Sequence, residues 1–384
     1  MPDVRSKRHT DMWFHATLLL IAVAVGVLLE AVGPRWVQAI FGSVNFDSFA
    51  NASAILVALA AAVVTHEAGH LAMAWACGFA ILGGKLGPLR LERLHGTRKV
   101  SFSNSGLFSC AVSAVPRNGA HWRRKMLLVV AAGPVATLLG SIGAASVVVF
   151  SAPPAWLGAF WSALALFHFL IFALGLIPNG ESAKARNDAT LFLALYRNGT
   201  AAQELKLYHR LTQLRLSAIR PCDYPASLMS QAAQWKGRPE ANLLAARTLT
   251  EWALDSDDQV RASVWERRAL EQSEQCDARL RNSALAASAC FDVLFRDDRA
   301  TAREKFRKVD LDALFPKYFA YRARAASLLA NNRTEQVPAQ VIRAQYALPL
   351  GLPYYDFERM LLGRLHLKAL GVVEDRLATS AAAS

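Results

Sequence analysis

The chain has 384 residues, 53% of them hydrophobic, and carries 43 basic against 30 acidic side chains. A mean hydropathy of +0.21 excludes a disordered chain and an ordinary soluble enzyme, and it places part of the sequence in lipid. No nucleic-acid-binding pattern accompanies the basic excess, which gathers beside apolar stretches where positive-inside bias accounts for it, so no nucleic-acid partner is expected.

Charge density divides the chain in two. Residues 1–199 hold 16 basic and 8 acidic side chains, whereas residues 200–384 hold 27 and 22. The first half reads as a transmembrane domain with spans at about 12–32, 49–77, 126–150 and 156–177. The first is preceded by Arg5, Lys7 and Arg8, and its apolar part is longer than a secretory signal core, so an uncleaved anchor is expected. From Met126 to Gly180 there is no Asp, Glu, Lys or Arg in 55 residues, room for two spans of about 20 residues, and Ser151-Ala-Pro-Pro-Ala155 supplies the turn between them.

Orientation follows from the segment between the second and third spans. It carries nine Lys and Arg between Lys85 and Lys125, opposed by Glu92 alone, which marks it as cytoplasmic. Both termini then lie in the cytoplasm, and a bacterial inner membrane is the expected location. Within the segment, the alternation in Lys99–Ser103 and Leu107–Val115, broken by Asn104, Ser105 and Gly106, predicts a small membrane-associated β-hairpin in the loop 78–116.

From residue 200 the pattern turns helical, as in Asn242–Leu254 and Ala284–Phe295, with Pro221, Pro239, Pro316, Pro338 and Pro353 as punctuation. The expected class is therefore mostly α: a polytopic membrane protein followed by a cytosolic all-α domain at 200–384. That domain reads as a tetratricopeptide-like array of helical hairpins or a plain bundle, which would dock a protein partner. Cys77, Cys110, Cys222, Cys276 and Cys290 are odd in number and form no C-x-x-C pair, so neither a disulfide framework nor a thiolate metal site is expected.

Chemistry concentrates in the second span, at His66-Glu67-Ala68-Gly69-His70. Four residues turn a helix by about 400°, which sets His66 and His70 about 40° apart on one face, within reach of one zinc ion. Glu67 stands beside the metal, where it can take a proton from the attacking water and pass one to the leaving amine. The bland alternative, a surface helix decoration, is weak in a membrane span, where a central charge costs about 2.5–3.5 kcal/mol and ionisable groups mark function.

Catalytic zinc takes three protein ligands and an open position. The fourth span exits on the same side as His66 and His70, delivering Leu176-Ile-Pro-Asn-Gly-Glu-Ser-Ala-Lys-Ala-Arg-Asn-Asp-Ala189. Asp188 and Glu181 are both candidates for the third ligand, and His168 lies at comparable depth in the fourth span.

These motifs resemble the site-2 proteases, the intramembrane zinc metalloproteases of peptidase family M50. The resemblance rests on His66–His70, Ala132-Gly-Pro-Val-Ala136 opening the third span, and Leu176-Ile-Pro178 followed by Asn187-Asp188-Ala189, and it covers about residues 50–195. It implies Asp188 as third ligand with His66 and His70, one Zn2+ per chain, Glu67 as the catalytic residue, and hydrolysis of peptide bonds in or near the membrane span of a single-span substrate. Two departures stand out: Ala189 replaces the family's Gly after the aspartate, and Gly175 replaces an Asn three residues before the proline, leaving its role to Asn179 or His168. Two readings compete. One is a catalytically inactive metal-binding scaffold presenting the helical domain, which the intact Glu67 argues against. The other is a transporter, for which the paired half-repeats are missing.

Overall fold

A computed structural model describes residues 49–94, 97–102, 110–117, 119–151, 153–178, 187–216, 219–349 and 353–382. The span expected at 12–32, along with Asn179 and Glu181, lies outside the described residues. The chain divides into two compact units, Met1–Leu91 with Val100–Gln203, and Glu92–Lys99 with Glu204–Ser384.

The first unit is built on three long helices, α1 (Phe49–Ala76), α2 (Trp122–Ser151) and α3 (Ala155–Gly175). Within them Asn51–Ala76, Trp122–Ser151 and Trp156–Gly175 are long and apolar enough to cross a membrane, matching the expected second, third and fourth spans. The core they share is made of small side chains, Ala58, Ala62, Ala144, Ala145, Ala163 and Ala165, with Ile55 and Leu164. Large apolar residues point outward instead: Leu56 is 68% exposed and Phe150 81%. An apolar outside over a core of small residues is how helices pack in lipid, where burying Leu gains nothing and close backbone approach gains dispersion. A short amphipathic helix, α4 (Asp188–Arg197), completes this unit against α2.

The loop after α1 forms a four-stranded sheet, β1 (Phe79–Leu86), β2 (Leu89–Leu94), β3 (Thr97–Phe102) and β4 (Cys110–Pro116), in the order β3-β2-β1-β4. This corrects the expected hairpin. Both of its strands exist, but they stand at opposite edges, and β4 pairs antiparallel with β1 from Phe79 opposite Pro116 to Leu86 opposite Cys110. The physical reason is the segment 79–94. Gly87, with φ +58°, and Pro88 close a two-residue turn that adds two strands, and a ladder of four is stable where a lone hairpin is marginal.

The second unit is helical: α5 (Thr200–Leu216), α6 (Ala226–Gln234), α7 (Pro239–Asp255), α8 (Gln259–Ser273), α9 (Ala278–Phe291), α10 (Arg299–Arg307), α11 (Lys317–Ala330), α12 (Val337–Ala347) and α13 (Tyr354–Ala382). A π-turn, Asp292–Arg296, extends α9. Each expected proline break falls at a helix start: Pro239 and Pro338 in first turns, Pro316 and Pro353 just before α11 and α13, and Pro221 opening a 3₁₀ turn. Large side chains, Phe291, Phe319, Tyr355, Phe357 and Leu362 among them, are buried here.

Candidate metal centre

The site grows from the last third of α1. Thr65, just before His66, satisfies its hydroxyl within the helix by donating to the Ala61 carbonyl at 2.9 Å. Close approach of α2 shapes the pocket. A Cβ on Gly69 would sit 2.6 Å from the Ala132 carbonyl oxygen, and one on Gly133 would sit 2.2 Å from His70 Nε2. Only glycine at both places lets the two helices meet with the imidazole between them. The Gly133-Pro134 step thereby serves as close helix packing beside α1.

That contact brings the Val129 carbonyl 2.8 Å from His70 Nδ1. A carbonyl can only accept, so Nδ1 carries the proton and Nε2 presents its lone pair. Such a partner behind a histidine is what orients a metal ligand.

Asp188 arrives from the far side of the sequence. Asn187 caps α4, its Oδ1 accepting from the Thr190 amide at 3.0 Å while its Nδ2 donates to the Ile177 carbonyl at 2.5 Å. The cap ties the exit of α3 to the start of α4 and sets Asp188 in the first helical turn, where the helix dipole favours a negative charge. The other end of α4 is held by the Arg123 guanidinium, which donates to the carbonyls of Leu195, at 2.7 Å, and Tyr196.

Three donor atoms converge. His66 Nε2 lies 2.9 Å from Asp188 Oδ2, His70 Nε2 lies 3.3 Å from the same oxygen, and the two Nε2 atoms are 3.2 Å apart. Four ligand atoms held tetrahedrally at about 2.0–2.1 Å from a zinc ion stand about 3.3–3.4 Å from one another, so these spacings fit the edges of one face. Among the described residues no Lys or Arg pairs with Asp188. Burial pushes its carboxyl up, but the facing rings of His66 and His70 outweigh that and hold it at about 2. The group is therefore an anion facing two ring nitrogens, and it could hold a metal ion. The Asp188 side chain is 23% exposed, so the group is not sealed from its surroundings.

Glu67 sits one step round α1, half-buried and in electrostatic range of His66, His70 and Asp188. The other candidates fall elsewhere. His168 is 2% exposed on α3 and packs over Gly140, apart from the His66, His70 and Asp188 group. Gly175 has open space around it, so crowding does not explain why glycine stands where the resembling family has Asn. Sequence reasoning missed Val129, which acts through its backbone and leaves no side-chain signal. It also left Asn187 without a role, although Asn directly before an apolar helical run is a recognisable N-cap. Comparison with protein-family models, curated proteins and solved structures finds no match to this chain.

Proposed function

We propose that this chain is a zinc-dependent intramembrane endopeptidase of the site-2-protease kind, which hydrolyses a peptide bond in or near the membrane span of a single-span protein. The observation that carries the reading is the meeting of His66, His70 and Asp188 beside Glu67 near one end of an apolar helix. Two imidazoles and one carboxylate form a donor set that suits zinc. Bound there, zinc supplies Lewis acidity at the scissile carbonyl.

The chain's own residues do the rest. Glu67 takes the proton of the attacking water and returns it to the leaving amine. Val129 and Asn187 hold the His70 ring and Asp188 in place, so little reorganisation is left for the reaction. The basic loop orients the site toward the cytoplasm of a bacterial inner membrane, from which water reaches it, with four spans and both termini inside. β3 or β4, as an edge strand, captures the unwound substrate by strand addition.

In the helical unit, several polar contacts fall 34 to 36 residues apart: Glu204 with Arg238 at 34, Arg220 with Asp255 at 35, and Arg215 with Glu251, Arg247 with Ser283 and Arg322 with Glu358 at 36. That period supports a tetratricopeptide-like array that docks a protein partner.

The test is metal analysis of the purified protein together with cleavage of single-span substrates in proteoliposomes. Glu67→Gln is expected to retain one zinc and lose cleavage, by a factor of about 10³ or more if the residue is the general base. Cleavage by Glu67→Gln at the wild-type rate overturns the reading, and so does a zinc-loaded wild type that cleaves none of them.

A further inference from the structure

Of the three residues that meet at the metal centre, Asp188 has the least local support. His66 and His70 ride on α1, a helix of 28 residues, but Asp188 opens α4, which has ten. A helix that short is marginal by itself and takes its place from what holds it. Only Thr190, Ala194 and Leu195 are buried along it, two of them small, so little packing fixes how far α4 slides or tilts. Its two ends then decide where Asp188 stands.

The Asn187 cap holds the first end, and Arg123, in the first turn of α2, holds the last. Arg123 Nε donates at 2.7 Å to the carbonyl of the fully buried Leu195, and its Nη2 donates to the Tyr196 carbonyl. Carbonyls in a last helical turn lack their usual partner four residues on and carry the negative end of the helix dipole, so a guanidinium there is donor and counter-charge at once. The lengths agree. Asp188 and Leu195 are seven residues apart on α4, and Arg123 and Val129 six apart on α2, about 10.5 Å and about 9 Å at 1.5 Å per residue. α4 therefore runs back along α2, its last turn at Arg123 and its first at the imidazole that Val129 holds. One helix thus places two of the three groups, His70 through the Val129 carbonyl and Asp188 through Arg123.

We propose that Arg123 is a positioning residue of the metal centre, which sets the reach of Asp188 toward His66 and His70 by anchoring the far end of α4. The proposal rests on the metal-binding part of the reading above and not on peptide cleavage. A guanidinium suits the task because its rigid fork spans two adjacent carbonyls, which a single ammonium or amide donor does less firmly. The competing reading is an arginine that caps α4 for stability alone. The two differ in whether the effect of Arg123 passes through the Asp188 carboxylate.

The experiment is competition for zinc between a chromophoric chelator and the full-length protein in detergent, for wild type, Arg123→Ala, Asp188→Ala and the double variant, with the neighbouring exposed Arg124 changed to Ala as control. Arg123→Ala, shown to be folded by its thermal unfolding, is expected to bind zinc about 10- to 100-fold more weakly, the range for a group that orients a ligand. In the Asp188→Ala background the same change should cost nothing further, because its route to the metal is gone. Wild-type affinity in Arg123→Ala overturns the proposal, as does a loss that recurs in full without Asp188 or an equal loss in Arg124→Ala. A wild type that takes up no zinc overturns the metal centre along with it. Should Arg123→Ala fail to fold, Arg123→Gln, which keeps one donor group and no charge, is read by the same comparisons.

Discussion

Buried acids meet opposite fates in the two units. In the helical unit Glu358 sits on Arg322, Glu251 on Arg215 and Asp255 on Arg220, each carboxylate matched by a resident guanidinium. In the apolar unit Asp188 meets the two imidazoles of His66 and His70 instead. The packing is inverted in the same way: aromatic and leucine side chains fill the helical unit, while alanines fill the apolar one and its large residues face out. A unit that brings its own cations is closed electrostatically. One that gathers a carboxylate and two imidazoles could instead hold a metal ion.

The sharpest way to probe this contrast is to unpair a charge in each unit. Glu358→Ala strands the buried Arg322 and is expected to destabilise the helical unit by about 3–5 kcal/mol, read from thermal unfolding of the full chain, with metal content unchanged. Asp188→Ala should do the reverse, leaving the unfolding of the helical unit as it is and weakening metal binding by more than the roughly 100-fold upper range of an outer-shell loss, measured by competition with a chromophoric chelator. Metal binding that survives Asp188→Ala intact would dissolve the distinction between the units.

A finer break is Asn187→Ala, which removes the cap and the tie to Ile177. Metal affinity should fall by about 10- to 100-fold and local stability by about 1 kcal/mol. Unaltered affinity would mean that the backbone alone places Asp188. The smallest effect concerns acid. Burial raises the Asp255 carboxyl, but Arg220 and the Cys222 amide outweigh this and hold it below its ordinary 3.8. The unfolded chain therefore takes up the proton first, so the stabilisation is complete above about pH 4 and lost as pH falls below it. The unfolding temperature of wild type should drop more steeply through that window than that of Asp255→Asn.

Much of this was legible before any coordinates. The spacing of His66 and His70 follows from helix geometry, and the three described apolar helices fall within a few residues of the expected spans because length and hydropathy are local properties. The proline-punctuated helices after residue 200 were legible for the same reason. The sheet was not: alternation marked β3 and β4 as strands, but pairing is a long-range choice, and it joined β4 to β1 instead. Between Asp188 and Glu181 as third ligand, the residues alone left the choice open, and family resemblance pointed to Asp188.

Residue order by itself determined which segments are helical, which are oily enough for lipid, and that two imidazoles share one helical face, since each depends on neighbours a few positions apart. Tertiary structure alone decided that Asp188 closes on them, that Gly133 makes room for His70 and that the Val129 carbonyl fixes its proton. Those contacts join positions 59 to 122 residues apart, and they exist only once α1, α2 and α4 have packed.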